Sequence, residues 1–185
     1  ELITKYEGQS GILYAFSRNK CEELASILQD MGIKADFYHA GLSARKRNEI
    51  QTQWLDDKIQ IICATIAFGM AIDKPNVRVV YHFNLPKTIE GYYQEIGRGG
   101  RDGLRSDCIF YYSEHDRIIY RQMADKKRGE IDSDDYFREK KQQMIRAEQQ
   151  KMYDMIGFIE NESECRHILL SNYFGEKRKE KIGFC

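Results

Sequence analysis

The chain has 185 residues, and its 29 Lys and Arg are balanced by 29 Asp and Glu, so the formal net charge is zero. That length suits one generous domain, or a domain with a subdomain, and folding it buries about two-thirds of the unfolded surface. Zero net charge argues against a polycationic wrapper of nucleic acid, while leaving local basic patches open. No apolar run approaches the ~20 residues that cross a bilayer, and no charged-then-apolar leader opens the chain, so no membrane partner is expected. The five Cys include no C-x-x-C pair, and we read a reducing compartment, cytosol or nucleus. The abrupt opening at Glu1 and the close at Cys185 suggest a piece of a longer chain.

Residues 11–16 are a short apolar run with strand character. Asn19 and Glu22 have the spacing of a helix N-cap pair, Leu24, Ile27, Leu28 and Met31 recur at helical period, and Gly32 ends that helix. Residues 35–39 predict a second strand. Gly41 turns the chain, and Ser43 can cap a helix with Ile50 and Trp54 on one face. Residues 59–64 predict a strand buried on both faces, and 78–83 a fourth. Thr88 starts a helix whose stripe is Ile89, Tyr92, Tyr93 and Ile96. Asp102-Gly103 signals a turn, and 108–112 a fifth strand. Strand signals then stop. Residues 126–150 are rich in charge and Gln and predict a solvated helix. Met152, Met155, Ile156 and Ile159 mark another helix, and Cys165, Ile168, Leu169 and Tyr173 a last one, ended by Gly175.

Strands alternating with helices imply parallel pairing through crossovers. The expected fold class is α/β, a parallel sheet with helices on both faces followed by a helical segment. Ligands of such sheets bind beyond the carboxyl ends of the strands. This directs attention to loops 17–19, 39–43, 64–76 and 84–88, and to the helix end at 96–102.

Residues 94–102 read Gln-Glu-Ile-Gly-Arg-Gly-Gly-Arg-Asp. Arg98 and Arg101 are three apart beside glycines that admit close backbone approach, and guanidinium forks suit phosphate oxygens. The bland alternative is a surface Arg pair on a Gly-rich turn. Residues 63–77 are a buried strand followed by a long loop of small residues. There Thr65 offers a hydroxyl, and Asp73 is polar among apolar neighbours. Long loops on the ligand side of a sheet are more often functional than not. No G-x-x-x-x-G-K-[ST] and no acidic strand end for magnesium occur, so the chain offers donors to a nucleotide without a pocket for one. Trp54, Phe68, Tyr92 and Tyr93 can be read as base-stacking platforms, but their apolar settings favour packing.

Together these segments resemble the second RecA-like lobe of superfamily-two helicases, in the RecQ family. Gln94-x-x-Gly97-Arg98-x-x-Arg101-Asp102 resembles the arginine-finger motif. Residues 64–75 (Ala-Thr-Ile-Ala-Phe-Gly-Met-Ala-Ile-Asp-Lys-Pro) resemble the motif before it, and residues 12–18, 38–42 and 90–95 resemble others. Glu164-Cys165-Arg166 with Tyr173-Phe174-Gly175-Glu176 resembles the start of the family's zinc-binding subdomain. The wording is closest to the family's eukaryotic, Bloom-syndrome type branch.

The resemblance implies a RecA-like C-terminal lobe over 1–122, a charged helical linker over 123–150 and a partial, helical zinc-binding subdomain over 151–185. It implies an ATP-dependent 3′–5′ DNA helicase of repair and recombination, acting in the nucleus on single-stranded and forked DNA. Arg98 and Arg101 would reach ATP and Mg2+ held by a first lobe that this chain lacks, with Gln94 helping to form the interlobe site and Gly69 and Asp73 lining it. Ser17, Arg18, Gly41 and Thr65 would hold the strand's phosphate backbone, contacts that carry no sequence information. Cys165 and Cys185 match two of four zinc ligands, so a complete zinc site is not expected here. His167 lies where the family tends to have Arg, and is read as a surface or packed side chain rather than a ligand. Ala71 stands where the family usually has Gly, and Gly99 where it usually has Ala. Two competing readings are a stand-alone nucleic-acid- or protein-binding module using the basic runs 126–128 and 177–181, and an RNA-directed helicase lobe. Apolar surface around Leu169 and Tyr173 is expected to promote self-association.

Overall fold

The computed structural model describes residues 5–68, 73–129 and 135–177. Five parallel strands, β1 (Ser10–Tyr14), β2 (Ala35–Tyr38), β3 (Ile61–Ala64), β4 (Val77–His82) and β5 (Asp107–Phe110), form one sheet in the order β2-β3-β1-β4-β5. Helices α1 (Arg18–Asp30), α2 (Ala44–Leu55) and α3 (Ile89–Ile96) alternate with the strands, and α4 (Glu114–Gly129), α5 (Asp135–Glu160) and α6 (Arg166–Tyr173) follow them. The expected α/β class holds, and each strand lies within about two residues of its predicted span.

The strand period of two divides the core. Ile12 and Tyr14 of β1, Ile62 and Ala64 of β3, Tyr38 and Val80 pack with Ile50 and Trp54 of α2 and with Phe68 on one face. Cys21, Leu24, Ala25 and Leu28 of α1 pack with Ala35 and Cys63 on the other. Trp54 and Phe68 are fully buried and meet edge to face, with centroids 5.4 Å apart. They are core, not stacking platforms. Gly11 in the central strand is required by closeness, since a Cβ there would lie 2.6 Å from Val79 Cγ1.

Several local expectations are corrected. The cap of α1 is Ser17, not Asn19. Ser17 has extended backbone, and its Oγ accepts a hydrogen bond from Lys20 N at 3.2 Å. A serine leaving a strand reaches the cap geometry two residues sooner, and such a cap is worth about 1 kcal/mol. Ile27 and Met31 stand on the exposed side of α1 rather than on its buried stripe. Ser43 caps α2 as expected, accepting from Lys46 N at 3.2 Å. Tyr93 is half-exposed, unlike Ile89 on the same helix.

The chain divides into two compact units, residues 1–85 with 94–112, and residues 86–93 with 113–185. In the second unit the described part of the stretch 126–150 is helical. It spans the end of α4 and most of α5, and α5 runs on without a break through Met152, Met155, Ile156 and Ile159. Arg166 Nη2 donates to Ile159 O at 2.8 Å, and Arg166 Nη1 also donates to Phe158 O, so a cation closes the carbonyl end of α5. Leu170 is buried on α6, while Tyr173 and Phe174 remain partly exposed. The basic run 126–128 lies at the end of α4, and residues 178–181 of the second run lie outside the described residues.

Candidate functional site

Two clusters form in the first unit. The first stands at the carboxyl ends of the adjacent strands β2, β3 and β1. Ser17 and Arg18 follow β1, Gly41 follows β2, and Thr65 follows β3. The parallel ladder therefore brings these four residues to one edge from three separate stretches of sequence. Thr65 is fixed by its own backbone: its N donates to Tyr38 O at 3.2 Å, and its O accepts from Phe68 N at 2.9 Å. Gly41 matters for what it lacks. A Cβ there would lie 3.1 Å from Arg18 Nη1 and 3.1 Å from His39 Nδ1. The Gly41 amide donates to His39 Nδ1 at 3.2 Å, which leaves His39 Nε2 to donate to Glu22 Oε1 at 2.9 Å. The amino end of α1 carries no acidic residue in its first turn, so its dipole adds to the Arg18 charge. The edge offers two hydroxyls, one exposed guanidinium and a helix amino end, a set of donors suited to phosphate oxygens.

The second cluster is carried by the end of α3 and by the loop from β3 to β4. Gly100 adopts φ +62°, and a Cβ there would meet Leu104 O at 2.5 Å. Its N donates to Val77 O at 2.9 Å, and Asp102 N donates to Pro75 O at 3.3 Å. The backbone of 100–102 thus lies by the amino end of β4, not beyond the carboxyl ends where the loops were expected. Arg101 Nη1 pairs with Asp73 Oδ1 at 2.8 Å, and Arg78 pairs with Asp102, with Nη1 to Oδ1 at 3.1 Å. Arg98 differs from both, because its Nε is buried without a hydrogen-bond partner. Burial pushes the Tyr14 hydroxyl well above its usual range, and the neighbouring Arg98 charge works against that rise. Gln94 is exposed on α3. Gly69 and Ala71 lie outside the described residues.

Sequence reasoning overlooked Lys74. Its side chain is only 3% exposed, and its Nζ reaches Asp57 Oδ1 at 2.7 Å, Leu55 O at 3.2 Å and the Trp54 ring at 5.3 Å. Asp57, at φ +58°, also accepts from Ser10 Oγ at 3.0 Å. The Lys74 hydrogen bond holds the Asp57 carboxyl below its usual range. Lys74 therefore pins the β3–β4 loop to the end of α2, one residue from Asp73. A lysine in a loop ordinarily reads as solvated, and the Pro75-Asn76 that follows gave no signal of burial.

In the second unit, Lys151 Nζ meets Glu90 Oε1 at 3.0 Å. Burial favours the neutral acid, but hydrogen bonds from the backbone, Lys151, Thr88 and Tyr173 outweigh it and bring Glu90 down to about 2. Tyr92 lies against Phe158 at 5.5 Å, and Tyr93 against Phe174 at 4.9 Å. Cys165 is buried at the N-cap of α6, and His167 is exposed as the second residue of that helix. Cys185 lies outside the described residues. Among the described residues no three His, Cys, Asp or Glu converge as metal ligands. Nor is any helix among them long and apolar enough to cross a membrane.

Two family models match the chain. Residues 1–103 match the model of the helicase conserved C-terminal domain, and residues 114–185 match that of RecQ zinc-binding. The ATP-dependent helicase SGS1 of Saccharomyces cerevisiae is 42% identical over 179 residues, which is 97% of this chain and 12% of that protein. The RecQ-like DNA helicase BLM of Xenopus laevis is 44% identical over 178 residues, covering 95% of this chain and 12% of that protein. The ATP-dependent DNA helicase Q1 of Mus musculus is 40% identical, covering 93% of this chain and 24% of that one. The chain thus spans a quarter or less of the length of these relatives. Among solved structures, the E. coli DEAD-box protein SrmB, crystallised with the regulator of ribonuclease activity A, superposes with a TM-score of 0.59 at 27% identity, covering 64% of this chain and 69% of that one. A DEAD box protein from Methanococcus jannaschii gives 0.56 at 28% identity over 68% of this chain and 34% of that one. On both family matches, the chain belongs to the helicase conserved C-terminal domain family, in its RecQ branch.

Proposed function

We propose that this chain is the second motor lobe, with the start of the zinc-binding segment, of a nuclear ATP-dependent DNA helicase that moves 3′ to 5′ on single-stranded and forked DNA in repair and recombination. The observation that carries this reading is the Arg98 Nε, buried and without an acceptor. A buried donor left so costs about 1–3 kcal/mol, more when charged, and such exceptions call for an explanation, of which an incoming ligand is one. An anion brought to this face by the first lobe supplies the acceptor.

ATP with Mg2+, held mainly by that first lobe, supplies the phosphoryl group whose developing charge the arginines meet. Arg101 is held by an Asp73 side chain that is 82% exposed, so the pair is worth under about 1 kcal/mol and exchanges readily for a phosphate oxygen. Gln94 and Gly69 complete the interlobe surface. Ser17, Arg18 and Thr65 hold the strand's phosphates, and Gly41 keeps the Arg18 guanidinium clear. In the longer protein Cys165 and Cys185 serve as two of four zinc thiolates. The residues described here supply Cys165 alone and do not by themselves make a closed site.

The test is ATP hydrolysis with single-stranded DNA, by this chain alone and after addition of the separately made first lobe. Silence alone and turnover on mixing are expected. Turnover by the chain alone would contradict the reading, and silence in both would favour a stand-alone binding module.

A further inference from the structure

Tyr14 ends β1, and its side chain touches three other elements of the same unit. Its ring stacks on His82 of β4, with centroids 5.4 Å apart and planes 21° from parallel. Its hydroxyl donates to Phe68 O at 3.2 Å, at the opening of the loop that carries Asp73. The Arg98 guanidinium lies close enough to the hydroxyl to influence its ionisation. His82 Nε2 in turn meets Glu95 Oε2 at 2.8 Å, on the helix that leads to Arg98. Along the chain, Tyr14 stands three residues before Ser17 and four before Arg18.

Packing alone does not ask for a tyrosine. The position is 4% exposed in an apolar cluster, where phenylalanine would fill the same space without a hydroxyl to satisfy. The oxygen reaches the first residues of the β3–β4 loop at Phe68 O from the end of the strand that leads to Ser17 and Arg18. We propose that the Tyr14 hydroxyl is a positioning group that couples strand binding at the β1 end to the placement of Arg98. This inference rests on the helicase reading above. A strand held by Ser17 and Arg18 pulls on the end of β1, and the hydroxyl passes that displacement to the Phe68 carbonyl and the Arg98 guanidinium. The binding part of such coupling is reciprocal, so whatever factor the strand applies to nucleotide affinity, nucleotide applies to strand affinity.

The experiment uses the full-length protein carrying Tyr14→Phe, which keeps the ring and removes the oxygen. ATP turnover is measured with and without a single-stranded oligonucleotide, and oligonucleotide affinity with and without a non-hydrolysable ATP analogue. The expected result is basal turnover and strand affinity each within about twofold of wild type, with DNA stimulation cut at least about fivefold, the low end of ordinary coupling factors. The analogue's effect on strand affinity should shrink alongside. Wild-type stimulation in the variant overturns the inference. So does an equal fall in basal and stimulated turnover, which would make the hydroxyl merely structural. A wild-type protein showing no DNA stimulation at all would instead overturn the helicase reading on which the inference rests.

Discussion

Replacing Lys74 with Met tests how the arginine cluster is held in place. Methionine keeps most of the buried stem and removes the charge, so the loss reports the polar contacts rather than a cavity. Lys74 Nζ makes three contacts: Asp57 Oδ1 at 2.7 Å, Leu55 O at 3.2 Å and the Trp54 ring at 5.3 Å. The Asp57 side chain is 62% exposed, so solvent screening limits the ion pair to about 1 kcal/mol or less. The charged hydrogen bond to the Leu55 carbonyl is worth about 1.5–3 kcal/mol, and the cation over the indole about 0.5–2 kcal/mol. Allowing for the desolvation that methionine avoids, the expected loss is about 2–3 kcal/mol. It would appear as a lower urea midpoint at unchanged slope. Asp57→Asn should cost less than about 1 kcal/mol in the same assay, because its carboxylate is already largely hydrated. A Lys74→Met loss below about 0.5 kcal/mol would refute the anchor, as would an Asp57→Asn loss as large as that of Lys74→Met.

In the full-length protein, Arg98→Ala should leave ATP affinity near wild type and lower turnover on the order of 10³-fold; an equal loss of affinity would contradict its role. Gly99→Ala places a Cβ 2.4 Å from Ser106 Oγ and should cost about 1–3 kcal/mol by overpacking. Adding Ser106→Gly should recover most of that, and unfolding midpoints that fail to recover would count against this neighbour. Hydrogen bonds from Lys5 and Tyr6 hold the Asp107 carboxyl down at about 2. Its contribution is therefore full above the unfolded value of ~3.9 and is lost as pH falls toward 2. Asp107→Asn should flatten stability against pH in that window, and an unchanged acid limb would refute it. Arg18→Ala should reduce the slope of log affinity against log salt on single-stranded DNA by about 0.7, the value for one phosphate contact, whereas Ser17→Ala should weaken binding at constant slope. Equal slopes for both variants would remove Arg18 from the phosphate-binding set.

The sheet was legible because its strands are short apolar runs bounded by turn residues, and parallel pairing follows from the helices between them. Ser43 was legible as a cap because it opens a helical period directly after Gly41. Ser17 was not, since it sits at a strand exit and Asn19 downstream also satisfies the cap spacing. The continuity of α5 was hidden for a different reason. Charged and Gln residues before Met152 are good helix formers with few apolar anchors, so the apolar pattern begins only where burial begins. The two arginines of the finger motif are one residue type three positions apart. Only the fold shows Arg101 paired with Asp73 while Arg98 Nε has no acceptor. Lys74 and Tyr14 were missed for a shared reason: a polar atom bound by distant elements leaves no local pattern.

The zero net charge, which argued against a polycationic wrapper of nucleic acid, fits this arrangement. A static binder gains affinity from many released counterions, and such affinity would hold a translocating lobe in place. At the strand-end edge only Arg18 among the four proposed contacts carries charge, while Ser17 and Thr65 offer neutral hydroxyls and Gly41 offers room. A hydroxyl brings no positive charge of its own to the phosphate and so adds no counterion-release affinity, and on the helicase reading that lets the grip be broken in each cycle. On the helicase reading, the charges that matter for turnover lie on the other cluster, where Asp73 and Asp102 balance Arg101 and Arg78. Arg98 is the arginine there whose Nε is buried without a partner. On the helicase reading, strand release and phosphate attraction are thus separated by chemistry as well as by position, and a near-neutral chain serves both.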